Sequence, residues 1–397
     1  MKTRVISLLL AVITLFPVLP LFSSCSDKEL ESFKGELYAE ILPVKDGRDG
    51  IITIVHDDGD YATVEYMKRQ FEVYEGLCAS VAMIANVVVD EKGVEKQAAG
   101  KWKTLIDEGG FDIVCHTQSH TWYGFTDNGE SGTWPHRDGY NVTYSYAPGH
   151  MTNEIVGAAE RLSSVFDQKV RCYAIPGFPV ADSKYNGRNQ TAKDIIASNF
   201  VSARHSGGGD VFNGQTVPCL NNLDTLDYYD LHSWSAVIQD DAPDAWKEYV
   251  DNAVKYKGWG IFLFHQMVQK ETDYQFNVAR SKSTALFNYI SGYVASGKLW
   301  CATFTEAALY TREAKDAEVG VRVSGDGITV MVTDSLDDDI FDMPITVKVQ
   351  VMSSWKKAEV EYNGEKIIKE VLTDDDGMKY ILIDIAPDSG MAVINKK

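Results

Sequence analysis

The sequence predicts an α/β chain, a deformed (β/α) barrel of about seven units followed by a small all-β sandwich domain. Three observations predict it. From about residue 50 to 312, apolar runs of strand length alternate with stretches at helical spacing, and repeated strand–helix units imply parallel strands under covering helices. Seven units over about 260 residues suit a closed barrel, since eight units normally take about 250 residues. Beyond Arg312 the period shortens to two, with turn residues between short runs, as in sandwiches.

The elements follow in order. Lys2 and Arg4 precede an almost wholly apolar stretch, then Ser23-Ser24-Cys25 and polar Ser26-Asp27-Lys28. Residues 1–25 read as a secretory signal. Its end, Leu21-Phe22-Ser23-Ser24-Cys25, resembles a bacterial lipobox, in which the cysteine takes lipid after cleavage. That implies export and attachment of Cys25 to the cell envelope, with the membrane met through an N-terminal lipid only. Residues 26–47 are polar with little periodicity and read as a tether.

The barrel is assigned to residues 48–312. Strands are expected at 50–55, 112–115, 170–175, 200–203, 259–264 and 298–304, with a further apolar run at 79–89. Helices are expected at 61–74 behind Asp60 as N-cap, at 96–108 before Gly109-Gly110, and at 152–166, 191–198, 242–256, 280–296 and 305–312. Residues 313–397 hold seven short alternating runs separated by turns such as Asn363-Gly364 and Asp375-Asp376-Gly377. They are assigned to a separate C-terminal β-sandwich. Its Asp-rich turns lack the spaced ligands of a calcium loop and read as solvated.

Composition narrows the partners. Across 397 residues, 57 acids against 38 bases leave a net charge of -19, the wrong sign for displacing counterions from a phosphate backbone. Nucleic acid is excluded as the expected partner. Beyond Cys25, the cysteines at 78, 115, 172, 219 and 301 are widely spaced and lie mostly in apolar runs. They read as buried small hydrophobes, with no disulfide expected.

The chemistry gathers at strand ends, where a barrel places its active site. His56-Asp57-Asp58-Gly59-Asp60 closes the first strand. Adjacent side chains leaving a strand diverge, so one Asp can hold a metal while the other addresses a water. His116-Thr117-Gln118-Ser119-His120 closes another strand, and two histidines four apart can meet one ion. Two histidines plus a carboxylate with an open position is a catalytic metal pattern, and Zn²⁺ suits that donor set. Leu263-Phe264-His265 ends a third apolar strand, where a histidine can serve as general acid. Trp122, Tyr123, Trp134 and Tyr140, in the loop after His120, either offer rings to sugar faces or pack that loop.

These motifs resemble the polysaccharide deacetylases of the NodB-homology type, carbohydrate esterase family 4, over about residues 48–310. The family's Thr-Phe-Asp-Asp-Gly is matched by Val55-His56-Asp57-Asp58-Gly59, its His-Ser/Thr-x-x-His by His116-Thr117-Gln118-Ser119-His120, and its Leu-x-His by Leu263-Phe264-His265. The resemblance implies a metal-dependent hydrolase removing N- or O-acetyl groups from a glycan. By it, Asp57 is the general base, Asp58, His116 and His120 hold one divalent metal, and His265 is the general acid.

The departures are specific. The family's Arg-x-Pro-Tyr/Phe-Gly reads Ala174-Ile175-Pro176-Gly177-Phe178 here. Pro176 and Gly177 keep an orienting role toward substrate, while the arginine is replaced by Ala174. Arg204, at the end of the next strand, is the candidate to orient Asp57 instead. Asp227, Asp230 and Trp234 are the candidates for the family's Asp–Trp element, and His56 stands where the family has Phe. The alternative reading is a catalytically weak or inactive carbohydrate-binding protein on the same barrel.

Overall fold

The β-branched run from Gly50 is buried along its whole length and becomes β1 (Gly50–Asp57), the strand on which the barrel closes. The computed structural model describes residues 37–121, 132–135, 141–144, 148–177, 186–237, 244–271, 274, 276–325 and 327–397, with backbone only at 132–135, 141–144, 148 and 186–191. After β1 come β2 (Ser80–Met83), β3 (Asp112–Cys115), β4 (Cys172–Ala174), β5 (Ser202–Ser206), β6 (Leu231–Ser235) and β7 (Trp259–Phe264). Each is parallel to the next. β7 returns to β1 from Trp259↔Ile51 to Phe264↔His56, so seven parallel strands form a closed ring.

An eighth strand, β8 (Leu299–Cys301), lies on the lower half of β1 at Gly50–Ile52, on the edge whose upper half pairs with β2. The expected count of seven is met with one exchange. The run 298–304 stays outside the ring, and β6, which the sequence does not announce, completes it. Leu231-His232-Ser233-Trp234-Ser235 lacks the β-branched residues that mark its neighbours, so its pattern reads as polar loop.

Helices cover the outside: α1 (Tyr61–Phe71), α2 (Ala99–Gly109), α3 (Ala158–Phe166), α4 (Asn186–Asn199), α5 (Asp244–Lys255) and α6 (Arg280–Ala295). Strand side chains alternate between two layers, as period-two geometry requires. Ile52, Ile54, Met83, Cys115 and Phe262 pack against the helices. Ile51, Val55, Val114, Ala174 and Trp259 fill the interior. Gly50 is needed because a Cβ there would lie 2.5 Å from the Ala253 carbonyl oxygen on α5.

α7 (Phe304–Asp316) carries the interior core out of the barrel. Thr303 and Glu306 form its capping box, and Phe304, Ala307, Ala308 and Tyr310 join one apolar cluster with Trp259 above and Ile345, Val347 and Ile383 below. Two antiparallel sheets, of four and five strands, face each other across the lower part of that cluster. The seven expected C-terminal runs are all strands. Two expectations change here. The boundary at 312/313 falls inside α7, and the sandwich shares its core with the barrel. The tether assigned to 26–47 includes a strand, Ala39–Ile41, paired antiparallel with Val349–Val347. Leu42 completes the seam by accepting from the Tyr310 hydroxyl at 2.9 Å.

Glu313 sits in this junction with no exposure. One carboxylate oxygen accepts from the Met343 N–H at 2.8 Å, while Oε2 has no hydrogen-bond partner among the described residues. Burial first, then the charges of Asp334 and Asp342, push its carboxyl up to about 8. An acid held more tightly protonated in the folded state stabilises that state at low pH. Its contribution is lost as pH rises from the unfolded value near 4.5 to about 8. Glu313→Gln should therefore flatten the fall of Tm across that window and leave Tm nearly unchanged at pH 4. Thermal melts of both proteins across pH check this.

Candidate metal and catalytic site

Four segments bring the site together at the C-terminal ends of the strands. β1 ends in Asp57, and the chain then turns through Asp58 (φ 71°) and Gly59 (φ 77°). A left-handed aspartate is uncommon outside held turns, and this one is held. His56 Nε2 accepts from the Asp60 N–H at 2.8 Å. The Asp60 carboxylate caps α1, accepting from the Thr63 N–H at 3.0 Å and its hydroxyl at 2.6 Å. The Thr63 hydroxyl in turn accepts from the Met267 N–H at 2.9 Å, which ties α1 to the segment just past His265.

His56 thus stays out of the barrel interior. It sits on the helix-facing side with Ile52 and Ile54, fully buried. Burial drives its imidazole down to about 4, despite the neighbouring Asp60, Asp57 and Asp58 charges. It is neutral in ordinary buffers, as an acceptor ring must be.

The segment after β3 is also constrained, with Thr117 and His120 left-handed at φ 66° and 64°. Glu154, buried in the π turn Asn153–Gly157 ahead of α3, accepts from the Ser119 N–H and hydroxyl, each at 3.0 Å. Gln118 is clamped by Arg161, Asn86 and the Val89 carbonyl. Backbone strain of this kind concentrates at functional sites.

The ligand geometry follows. His116 Nδ1 lies 2.8 Å from the Ala174 carbonyl oxygen, which fixes Nδ1 as the protonated nitrogen and leaves the Nε2 lone pair free. His116 Nε2 is 3.5 Å and His120 Nε2 3.3 Å from Asp58 Oδ1, and the three ligand atoms all lie within 4.8 Å of one another. Ligands about 2.0–2.1 Å from a tetrahedral ion stand about 3.3–3.4 Å apart. The donor set and its spacing fit one divalent ion. Burial would raise the Asp58 carboxyl, but its neighbours His116, His120 and His265 hold it well below the usual carboxylate range.

Asp57 lies beside this triad, its Oδ2 3.8 Å from His116 Nε2. The fully buried Arg204 donates from Nη2 to Asp57 Oδ1. Its Nε and Nη1 make no hydrogen bond among the described residues, so the guanidinium is committed to Asp57. β4 and β5 pair Ala174 directly with Arg204. An arginine on either strand therefore enters the same part of the interior.

His265 follows β7, its ring 4.5 Å from that of Phe276. Pro176 is buried and Gly177 (φ 75°) turns the chain just past β4. Trp234 lies on the helix-facing side of β6, with its ring 5.2 Å from that of Tyr249 on α5. Cys25 and the aromatics at 122, 123 and 140 lie outside the described residues, as does the side chain of Trp134. The site residues missed in sequence are the Ala174 carbonyl and Glu154. A backbone acceptor carries no sequence signal, and a glutamate in an amphipathic helix reads as solvated.

Fold and site together define a closed (β/α) barrel with a two-histidine, one-carboxylate cluster at the C-terminal ends of its strands. No family model matches the chain. It is 24% identical over 380 residues to a gellan lyase of Bacillus sp., covering 90% of this chain and 13% of that protein. Among solved structures, it is similar to the Xyl-CE4 domain of a multidomain xylanase from the hindgut metagenome of Trinervitermes trinervoides, at 15% identity and TM-score 0.35, covering 65% of this chain and 89% of that one. It is also similar to the peptidoglycan deacetylase PdaC from Bacillus subtilis, at 12% identity and TM-score 0.37, covering 69% and 96% respectively.

Proposed function

We propose that the chain is a metal-dependent polysaccharide deacetylase of the NodB-homology type, hydrolysing N- or O-acetyl groups on a glycan. The observation that carries this reading is the convergence of Asp58, His116 and His120 on one ligand-sized space, with the arginine-paired Asp57 alongside. The chemistry a divalent ion such as Zn²⁺ supplies when bound there is Lewis acidity toward water and the acyl oxygen.

The protein's own groups do the rest. Arg204 holds the Asp57 carboxylate aimed, and Asp57 takes the proton of the water that attacks the acyl carbon. His265 protonates the leaving amine or alcohol as its bond to the acyl carbon breaks, so acetate and a free amine or hydroxyl result. His116 keeps its orientation through the Ala174 carbonyl, the kind of outer contact that tunes a metal ligand. Acetate release from a panel of acetylated glycans, with and without chelator, tests the reading. Metal and sugar binding with no release from any member would favour the non-catalytic alternative.

The same proposal places the protein at the bacterial envelope, anchored through lipid on Cys25. It rests on the lipobox-like Leu21-Phe22-Ser23-Ser24-Cys25. A fatty-acid probe should label the wild type and leave Cys25→Ala unlabelled; equal labelling of both would remove the anchor.

A further inference from the structure

We propose that Cys78 and Cys301 are a disulfide-forming pair that staples the seam of the barrel between β2 and β8. The two residues are 223 positions apart, yet each thiol lies over the other's peptide group. Cys78 Sγ is 3.4 Å from the Cys301 carbonyl oxygen, and Cys301 Sγ is 3.7 Å from that of Cys78. Such reciprocity requires two chain segments side by side with their cysteines turned toward each other. That is the juxtaposition a disulfide needs, since Cβ atoms pointing apart cannot be bridged. Thiols are weak donors, so these contacts hold the pair loosely and little is given up when both protons leave.

The place in the fold gives the bond a purpose. β1 lends one edge to two strands in succession, β8 at Gly50–Ile52 and β2 at Val55–Asp57. Among the described residues no backbone ladder joins β8 to β2. The seam is crossed near this point by a side-chain bond, from the Phe304 N–H to the Ser80 hydroxyl at 2.7 Å. Cys78 lies two residues before β2, and Cys301 is the last residue of β8. Cys115 and Cys172 are fully buried on other strands of the barrel, β3 and β4.

The chemistry balances with an organic disulfide as oxidant. The thiolate of Cys78, the more exposed of the two, attacks one sulfur of the donor and releases one donor thiol. The thiolate of Cys301 then attacks the Cys78 sulfur of the mixed disulfide and releases the second. Two protein thiols are oxidised, one donor disulfide is reduced, and both protons pass to the departing thiolates.

The test uses the whole purified protein under native conditions, with oxidised glutathione in one arm and dithiothreitol in the other. Each arm is then denatured and alkylated. The oxidised arm should lose two alkylatable thiols and yield a cross-linked peptide holding Cys78 and Cys301. It should also melt about 5 °C higher than the reduced arm, the scale expected for closing a long loop in a protein of this size. Cys78→Ser should abolish the redox-dependent difference in Tm. Because Cys78 is only half-buried, this variant avoids the risk to folding of replacing the buried Cys301. A glutathione adduct that stops on Cys78, a cross-link between other cysteines, or a full set of alkylatable thiols after oxidation would each overturn the assignment.

Discussion

His116→Ala is expected to release the metal and reduce deacetylation by at least about 10³-fold. The ion's electrostatic contribution to such a transition state is several kcal/mol, and each 1.36 kcal/mol is tenfold in rate. Alanine removes one of three ligand atoms and leaves Asp58 and His120 at 3.3 Å as an incomplete pair. Elemental analysis reads the metal directly. The same variant in apo form should melt close to the apo wild type, since the lost Ala174 contact is a single hydrogen bond. Equal metal content in wild type and variant would sink the ligand assignment, whatever the activity did.

Arg204→Ala should lower turnover by about 10²-fold or more, the range a positioned acid–base group supplies, with bound metal unchanged. Arg204 reaches Asp57, and the three ligand atoms belong to other side chains. Removing one partner of a buried ion pair costs about 3–5 kcal/mol, so the variant should also melt lower. Stability and mechanism are separated by a second change. Ala174 stands directly opposite Arg204 across β4 and β5 and faces the same interior, and the space that Arg204 vacates is next to it. Ala174→Arg added to Arg204→Ala should restore part of the turnover through a guanidinium delivered from the neighbouring strand. Arg204→Lys keeps the charge without the planar fork and should fall between the two. Full activity in Arg204→Ala would mean that Asp57 needs no such partner.

Much of this molecule is legible along the chain. The β-branched runs and the apolar helical spacing give the (β/α) barrel, because each element buries its own stripe whatever its neighbours are. The period of two after Arg312 gives the sandwich for the same reason. His116 and His120 can be paired on sight, since both sit in one short loop where four residues of spacing are a distance in space. The acidic pair at 57–58 is visible as the end of a strand, and the roles proposed for it rest on the resemblance of the motifs.

Other features depend on which strands stand beside each other. In strands buried on both faces, composition does not tell inward from outward. Trp234 therefore reads as a site residue, yet it packs under α5, while Arg204 on the neighbouring strand turns inward to Asp57. β6 is hidden because its serines and histidine are strand residues only once β5 and β7 flank them. Cys78 and Cys301 meet because β8 and β2 share an edge of β1, a fact no local pattern encodes. The tether at 26–47 contains a strand because the partner of Ala39–Ile41 lies some three hundred residues away. Period and propensity act within a few residues and so can be read one segment at a time. Pairing across a barrel is set by the joint packing of every segment, and it appears only when the chain is closed.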